Sequence, residues 1–266
     1  MIPQLLSSAR KIVLKFGSNT LAGADGTIST HIMDDFAKQV SVFSKQGKQF
    51  IIVSSGARAA GISTMSKWAR KQDIHYKQAL CAVGQVELMG AWKRAFEAYG
   101  LHVAQILLTR DDFNDPIRTL NMRNTLFTLI DEGIIPIINE NDTVSVEEIK
   151  IGDNDTLAAH SAILWSADLL ILFSDVDGLY TRNPKEHPDA EPVREIRNIE
   201  ETKKKVSIGS TNDLGTGGIG TKISAAEKAV PYGIPTIIAN GLKGQALEAL
   251  ARGDQEGTVF AAGERP

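Results

Sequence analysis

The chain has 266 residues, enough for one large α/β domain with a substantial core or for two small domains. Apolar residues make up 42% and charged residues 23%, and a net charge of −3 gives no general attraction to nucleic acid or anionic membrane, so any anion site has to be built locally. A single cysteine, Cys81, excludes an internal disulfide framework, the five histidines fall at no zinc-like spacing, and no apolar run reaches the length of a membrane span.

The N-terminal segment "MIPQLLSSARKIVLKFG" meets charge before any sustained apolar stretch, so no secretory leader is expected and the expected location is the cytoplasm. Short apolar, β-branched runs then recur: "IVLKF" (12–16), "FIIVSS" (50–55), "VAQILL" (103–108), "IIPIIN" (134–139), "LLILFS" (169–174) and "PTIIAN" (235–240). Most are apolar on both faces, which predicts strands of a parallel sheet covered on each side. Between them, Ile32, Phe36, Val40 and Phe43 form one helical stripe behind the N-cap candidates Ser29 and Thr30. Met122, Leu126, Leu129 and Ile130 form another, after Pro116 and before Gly133. The segment from Tyr76 to Tyr99 reads as one long helix or two, and "KKK" at 203–205 reads as a solvated loop. Alternating strands and helices predict a three-layer αβα sandwich with a mainly parallel central sheet.

In open α/β sheets ligands bind beyond the carboxyl ends of the strands. Four of the runs end there in small or polar residues: Gly17-Ser18, Ser55-Gly56-Ala57, Glu140-Asn141-Asp142 and Asp175-Val176-Asp177-Gly178. A second polar knot, Gly152 to Asp155, follows the third of these by a dozen residues. Lys15 lies inside the first apolar run, where an ammonium has to be paired, face a ligand, or snorkel from an edge strand. The adjacent Gly17-Ser18 favours a ligand, since N–H groups there can cradle an anion.

The stretch "DLGTGGIGTKISAAEKA" (213–229) matches G-x-G-x-x-G through Gly215, Gly217 and Gly220, but only weakly. No strand directly precedes it, no acidic residue follows at the dinucleotide-site distance, and the order Gly220-Thr221-Lys222 is not that of a Walker A loop. It reads either as a phosphate site at a helix N-terminus, with Lys222 as its cation, or as a mobile surface loop with a helix cap. Two lysines beside glycines, with amides and carboxylates at the same sheet edge, suit phosphoryl transfer, in which cationic clamps and positioning do most of the work. Asp155 could hold both ammonium groups. No Ser-His-Asp or His-carboxylate base is evident, and an acceptor that is itself a carboxylate needs none.

The motifs "KFGSNTL" (15–21), "IIVSSGARAAG" (51–61), "PIINENDTV" (136–144), "IGDNDTLAA" (151–159), "SDVDGLYTRNP" (174–184) and "GTGGIGTK" (215–222) together resemble the amino acid kinase family over about residues 10 to 260. The pairing of "NEND" with "GDND" is similar to the members that phosphorylate glutamate, and separates the chain from acetylglutamate, carbamate, aspartate and uridylate kinases.

The resemblance implies ATP and L-glutamate as substrates, L-glutamyl 5-phosphate and ADP as products at the opening of proline biosynthesis, and Mg2+ on the nucleotide phosphates. It implies one domain over residues 1–266, with an amino-acid-binding half to about residue 165 and a nucleotide-binding half from about 166. Lys15 and Lys222 would stabilise the transferring phosphoryl group and Asp155 would orient them. Ser55, Asp142 and Asn154 would bind glutamate, with Asp142 on the α-ammonium. ATP would meet Lys15, Gly17, Ser18, Ser174, Asp175 and the run Thr216, Gly217, Gly218, Ile219, Gly220, Thr221 and Lys222. A homo-oligomer (dimer or tetramer) and feedback inhibition by proline are also implied, with residues 65–79 expected as a mobile loop near the inhibitor site.

The resemblance has departures. The C-terminal domain of pseudouridine synthase and archaeosine transglycosylase type that often follows is expected to be missing after "EGTVFAAGERP". Ile219 and Ser174 stand where methionine and threonine are common. A kinase of another small acid, such as aspartate or N-acetylglutamate, and a non-catalytic sensor of amino acid and nucleotide are the alternative readings.

Overall fold

A computed structural model describes every residue except 24–26, 66–72, 146–153, 183–186, 188, 206–217 and 264–266, with the side chains of 203–205 also left aside. Its centre is an eight-stranded sheet built from β1 (Lys11–Phe16), β2 (Gln49–Ser54), β3 (Val103–Leu108), β4 (Ile135–Glu140), β5 (Leu169–Ser174), β8 (Glu195–Ile196), β9 (Thr236–Asn240) and β10 (Gly257–Phe260). A separate ribbon pairs β6 (Leu179–Tyr180) with β7 (Pro192–Val193). The main sheet runs in the order β3-β4-β2-β1-β5-β9-β10-β8, and only the β9–β10 pair is antiparallel. The expected sandwich and all six expected strands are present, with ends within a residue or so.

Alternation along the strands divides the apolar residues between two cores. Ile12, Leu14 and Phe16 of β1, Phe50 and Ile52 of β2, and Leu169, Ile171 and Phe173 of β5 face one layer. There they meet Met33, Phe36 and Val40 from the helix Thr30–Lys45 and Leu88, Trp92 and Phe96 from the helix Ile74–Glu97. Val13, Ile51, Val53, Leu170 and Leu172 face the other layer, with Leu126 from the helix Pro116–Asp131, Ala158 and Trp165 from Asn154–Trp165, and Ala226 from Ile219–Ala229. Both faces are therefore dry, which is why these strands read as unbroken apolar runs. β3 is the exception. It forms one end of the sheet, and its Gln105 is exposed. By the same period of two, Lys15 lies on the Val13 face, the one covered by the helix Asn154–Trp165.

Local signals account for several boundaries. Ser29 caps Thr30–Lys45 by accepting from Ile32 N–H at 3.4 Å. The segment expected between Tyr76 and Tyr99 forms one helix, Ile74–Glu97, capped by Asp73, which accepts from the N–H groups of His75 and Tyr76. Two expectations are corrected. Residues 74–79 open that helix rather than lying in a mobile loop, although 66–72 fall outside the described residues. Residues 203–205 end a short helix, Ile199–Lys205, because Glu200 and Glu201 fill its acidic first turn. No helix among the described residues is long and apolar enough to cross a membrane.

The helix Ala57–Met65 crosses Ile74–Glu97 at glycines. A Cβ on Gly84 would lie 1.8 Å from the carbonyl oxygen of Ala57, and one on Gly61 would lie 1.9 Å from that of Leu80. Only the missing side chains allow this approach, and it fixes how the turn after β2 meets the long helix. Gly84→Ala should therefore cost at least about 1–3 kcal/mol in urea denaturation, as overpacking does. Gly244→Ala, with open space around its Cβ, should stay within about 0.5 kcal/mol of the parent.

Candidate active site

The strands β4, β2, β1 and β5 are consecutive in the sheet, so their carboxyl ends form one edge. The chain moves from β1 to β2 in one direction and reaches β5 on the other side of β1, and such a reversal opens a crevice at the strand ends. A cleft lies there. Its walls include Lys15, Gly17, Ser18, Ser55, Arg58, Cys81, Asn139, Asp142, Ser174, Asp175 and Lys222. Residues distant in sequence thus share one cavity, as the four polar strand ends predict.

Beneath the cleft sits Asp155, fully buried in the first turn of Asn154–Trp165, where the helix dipole favours a carboxylate. Its Oδ1 lies 2.5 Å from the Lys15 ammonium and its Oδ2 lies 3.2 Å from that of Lys222. The Thr221 hydroxyl also donates to Oδ2, at 2.6 Å. Both lysines are nearly buried. Burial alone would push the Asp155 carboxyl up, but Lys15 and Lys222 outweigh it and hold the group below the usual carboxylate range. Burial lowers the Lys222 ammonium, Asp155 opposes that shift, and Lys15 adds to it. Two ammonium groups around one carboxylate leave one positive charge uncompensated within the trio, with Asp175 on the cleft wall also acting on Lys222.

The other end of the cleft is a chain of amides and hydroxyls. The Asn154 side-chain amide, fully buried, donates to Ser55 Oγ at 2.7 Å and to Asn139 Oδ1 at 2.9 Å. The Asn139 amide donates to Gln85 Oε1 at 2.8 Å. Asp142 is more than nine-tenths buried, and its Oδ1 meets no hydrogen-bond donor among the described residues. Burial raises its carboxyl to about 6, while the Cys81 thiol and the Arg58 charge pull the other way.

The remaining expected residues fall as follows. Gly17, Ser18, Ser174 and Asp175 are on the cleft wall, with the Ser174 hydroxyl donating to Asp175 at 3.1 Å. Gly218 caps the helix Ile219–Ala229, and Ile219, Gly220 and Thr221 form its first turn before Lys222. The Ile219 side chain is exposed rather than on the cleft wall. Thr216 and Gly217 lie outside the described residues. Arg58, Cys81 and Asn19 line the cleft without having been singled out. The first two signal themselves only once helices beside β2 and β4 are brought together. Among the described residues no three His, Cys, Asp or Glu side chains converge as a metal cage would require.

Comparison with known proteins agrees with this geometry. The model of the amino acid kinase family matches residues 10–240. The chain is 58% identical over 264 residues to a glutamate 5-kinase of Alkaliphilus metalliredigens (strain QYMF), covering 99% of this chain and 100% of that one. It is 55% identical over 260 residues to a glutamate 5-kinase of Alkaliphilus oremlandii (strain OhILAs), covering 98% and 99%. In fold it is similar to the crystal structure of the UMP kinase from Ureaplasma parvum, with a TM-score of 0.65 at 16% identity, covering 95% of this chain and 99% of that one. The family model and these relatives show that the chain belongs to the amino acid kinase family, among its glutamate 5-kinases.

Proposed function

We propose that the chain transfers the γ-phosphoryl group of ATP to the side-chain carboxylate of L-glutamate, giving L-glutamyl 5-phosphate and ADP, the first step of proline biosynthesis. The observation that carries the reading is the convergence of Lys15 and Lys222 on one buried carboxylate at the cleft floor. The relatives named glutamate 5-kinase support the choice of substrate.

In this reading a glutamate carboxylate oxygen attacks the γ-phosphorus, and the bond to the β–γ bridging oxygen breaks as ADP leaves. The acceptor is already ionised at neutral pH, so no general base is required. Charge grows on the phosphoryl oxygens, where Lys15 and Lys222 meet it, and Asp155 keeps the two ammonium groups together despite their repulsion. Asp142 pairs with the α-ammonium of glutamate, with Ser55 and Asn154 on the same side. An N-acetylated acid has no ammonium for Asp142, which favours glutamate over acetylglutamate.

Gly17, Ser18, Ser174, Asp175 and residues 216–222 hold the nucleotide, and the division into an amino-acid half and a nucleotide half near residue 165 belongs to the same proposal. Asp155 is taken up by two lysines, so the donor set fits a Mg2+ carried on the nucleotide phosphates rather than in a protein cage, and Asp175 on the cleft wall is the carboxylate that would hold it. When bound, that ion adds positive charge at the phosphates. Inhibition by proline at an overlapping site, a homo-oligomer and a cytoplasmic location complete the proposal.

Turnover with a panel of amino acids, trapping the acyl phosphate with hydroxylamine, tests the assignment. Product is expected with glutamate, and product with aspartate but not glutamate would contradict it. Lys15→Ala and Lys222→Ala should each lower kcat by at least about a hundredfold, and a loss under about tenfold in both would remove the clamp. Asp142→Asn should raise KM for glutamate by at least about tenfold while leaving KM for ATP unmoved; the reverse pattern would put Asp142 in the wrong subsite.

The raised Asp142 carboxyl also sets a pH dependence. Between its ordinary 3.8 and about 6 the folded protein binds more protons than the unfolded chain, so stability falls as pH rises through that window. The contribution is up to about 3 kcal/mol. Urea denaturation at pH 4.5 and pH 7 should show this loss in the parent and a smaller one in Asp142→Asn. Glutamate affinity, measured by calorimetry, should move the opposite way and tighten as the carboxylate ionises.

A further inference from the structure

Among the described residues that line the cleft, Lys15, Arg58 and Lys222 carry positive charge. Asp155 on the floor engages both lysines. Arg58 stands apart from them, in the first turn of the helix Ala57–Met65. It is partly buried, and its guanidinium makes no ion pair or hydrogen bond among the described residues. That position is unfavourable for a cation, because the helix dipole already places positive charge there and no acidic residue in the first turn offsets it. The turn out of β2 brings this helix start to the cleft: Gly56, with a φ of +111°, Ala57 and Arg58 all lie on the wall. The first main-chain N–H groups of a helix have no partner within it, so they and the guanidinium form one surface suited to an anion. Asp142 shares the wall and carries the opposite charge. It is more than nine-tenths buried, and its Oδ1 meets no donor among the described residues. Burial pushes its carboxyl up, and the Arg58 charge is among the influences that pull it back, yet the two side chains do not close into an ion pair. An acid and a base held in one cavity without meeting leave room for a zwitterion between them.

We infer that Arg58 is a specificity-determining residue of the amino-acid subsite: with the N-terminus of its helix it takes the α-carboxylate of the substrate, while Asp142 takes the α-ammonium. The inference rests on the reading of this cleft as the glutamate site, and it adds the cation that Ser55, Asp142 and Asn154 do not supply. Glutamate carries two carboxylates. The one that attacks phosphorus has to lie near Lys15 and Lys222, so the α-carboxylate needs a cation of its own, and Arg58 is the remaining one on the described wall. The planar fork of a guanidinium matches a carboxylate. Such a site requires an ionised α-carboxylate beside the α-ammonium, and an acid whose α-carboxyl is amidated leaves Arg58 without its partner.

The test compares L-glutamate with its α-amide, isoglutamine, which keeps the ammonium and the side-chain carboxylate and loses only the α-carboxylate charge. Turnover of each is read by hydroxylamine trapping in the parent, Arg58→Ala and Arg58→Gln. The parent should favour glutamate by at least about thirtyfold in kcat/KM. In both variants that preference should fall by about tenfold, through a higher KM for glutamate with KM for ATP unmoved. An unmoved preference would overturn the inference. So would an equal loss with both acids, which is what a merely structural arginine would give. A second readout is calorimetric titration of glutamate into the nucleotide-free protein, where affinity should fall about tenfold in Arg58→Ala; an unchanged affinity would contradict the inference. The two readings fail separately: absence of glutamate turnover in the parent would sink the substrate assignment, whereas glutamate turnover with an unmoved preference would sink the role of Arg58 alone.

Discussion

Two ammonium groups on one buried carboxylate form the interaction on which the rest of the site depends. Lys15 and Lys222 repel each other, and neither could be buried without Asp155 between them. Taken alone, the trio is incomplete by one unit of negative charge, which Asp175 on the cleft wall offsets only in part. A well-packed protein does not keep such an imbalance for stability alone, since apolar residues of the same size would serve better. In the proposed reaction an incoming phosphoryl group would supply the remaining charge, most of it at the point where its own charge is greatest.

The fold is what allows the three residues to meet. Lys15 comes from the central strand, facing the layer that holds the helix Asn154–Trp165, and Asp155 stands in that helix's first turn. Lys222 enters from the start of a second helix in the same layer, with Thr221 anchoring its turn to the same carboxylate. The other end of the cleft is built differently. There, amides and hydroxyls from β2, β4 and the helix at 154 are linked in series, and the long helix buttresses them from the other layer. The cleft thus joins a charged floor to a chain of amides and hydroxyls, with the helix Asn154–Trp165 contributing to both and the long helix bracing the second from the other layer.

Much of this was legible in the residues themselves. A strand buried on both faces cannot hide its composition, so β1, β2, β4, β5 and β9 announced themselves, and Lys15 stood out because it interrupted one of them. The polar strand ends were readable for the same reason. Other features were not. The short strands β8 and β10 have too few residues for a periodic signal, and Asn154–Trp165 is so evenly apolar that it shows no stripe. Arg58 and Cys81 look ordinary in sequence: one sits beside small residues at a helix start, the other resembles any buried apolar residue. Their place in the cleft depends on the Gly61 and Gly84 crossing, a contact between helices that no local pattern encodes. The motifs shared with the amino acid kinase family added the substrates and the individual site residues, whereas the pairing of positions 15 and 222 already followed from lysines beside glycines at one sheet edge.

The central claim is that Asp155 holds the Lys222 ammonium in its charged form against burial and against Lys15. Nitrogen-15 NMR of lysine-labelled protein, titrated in the parent and in Asp155→Asn, measures this directly. The account predicts that the Lys222 ammonium loses its proton at a distinctly lower pH in the variant than in the parent. A Lys222 that titrates at the same pH in both, or higher in the variant, would contradict it.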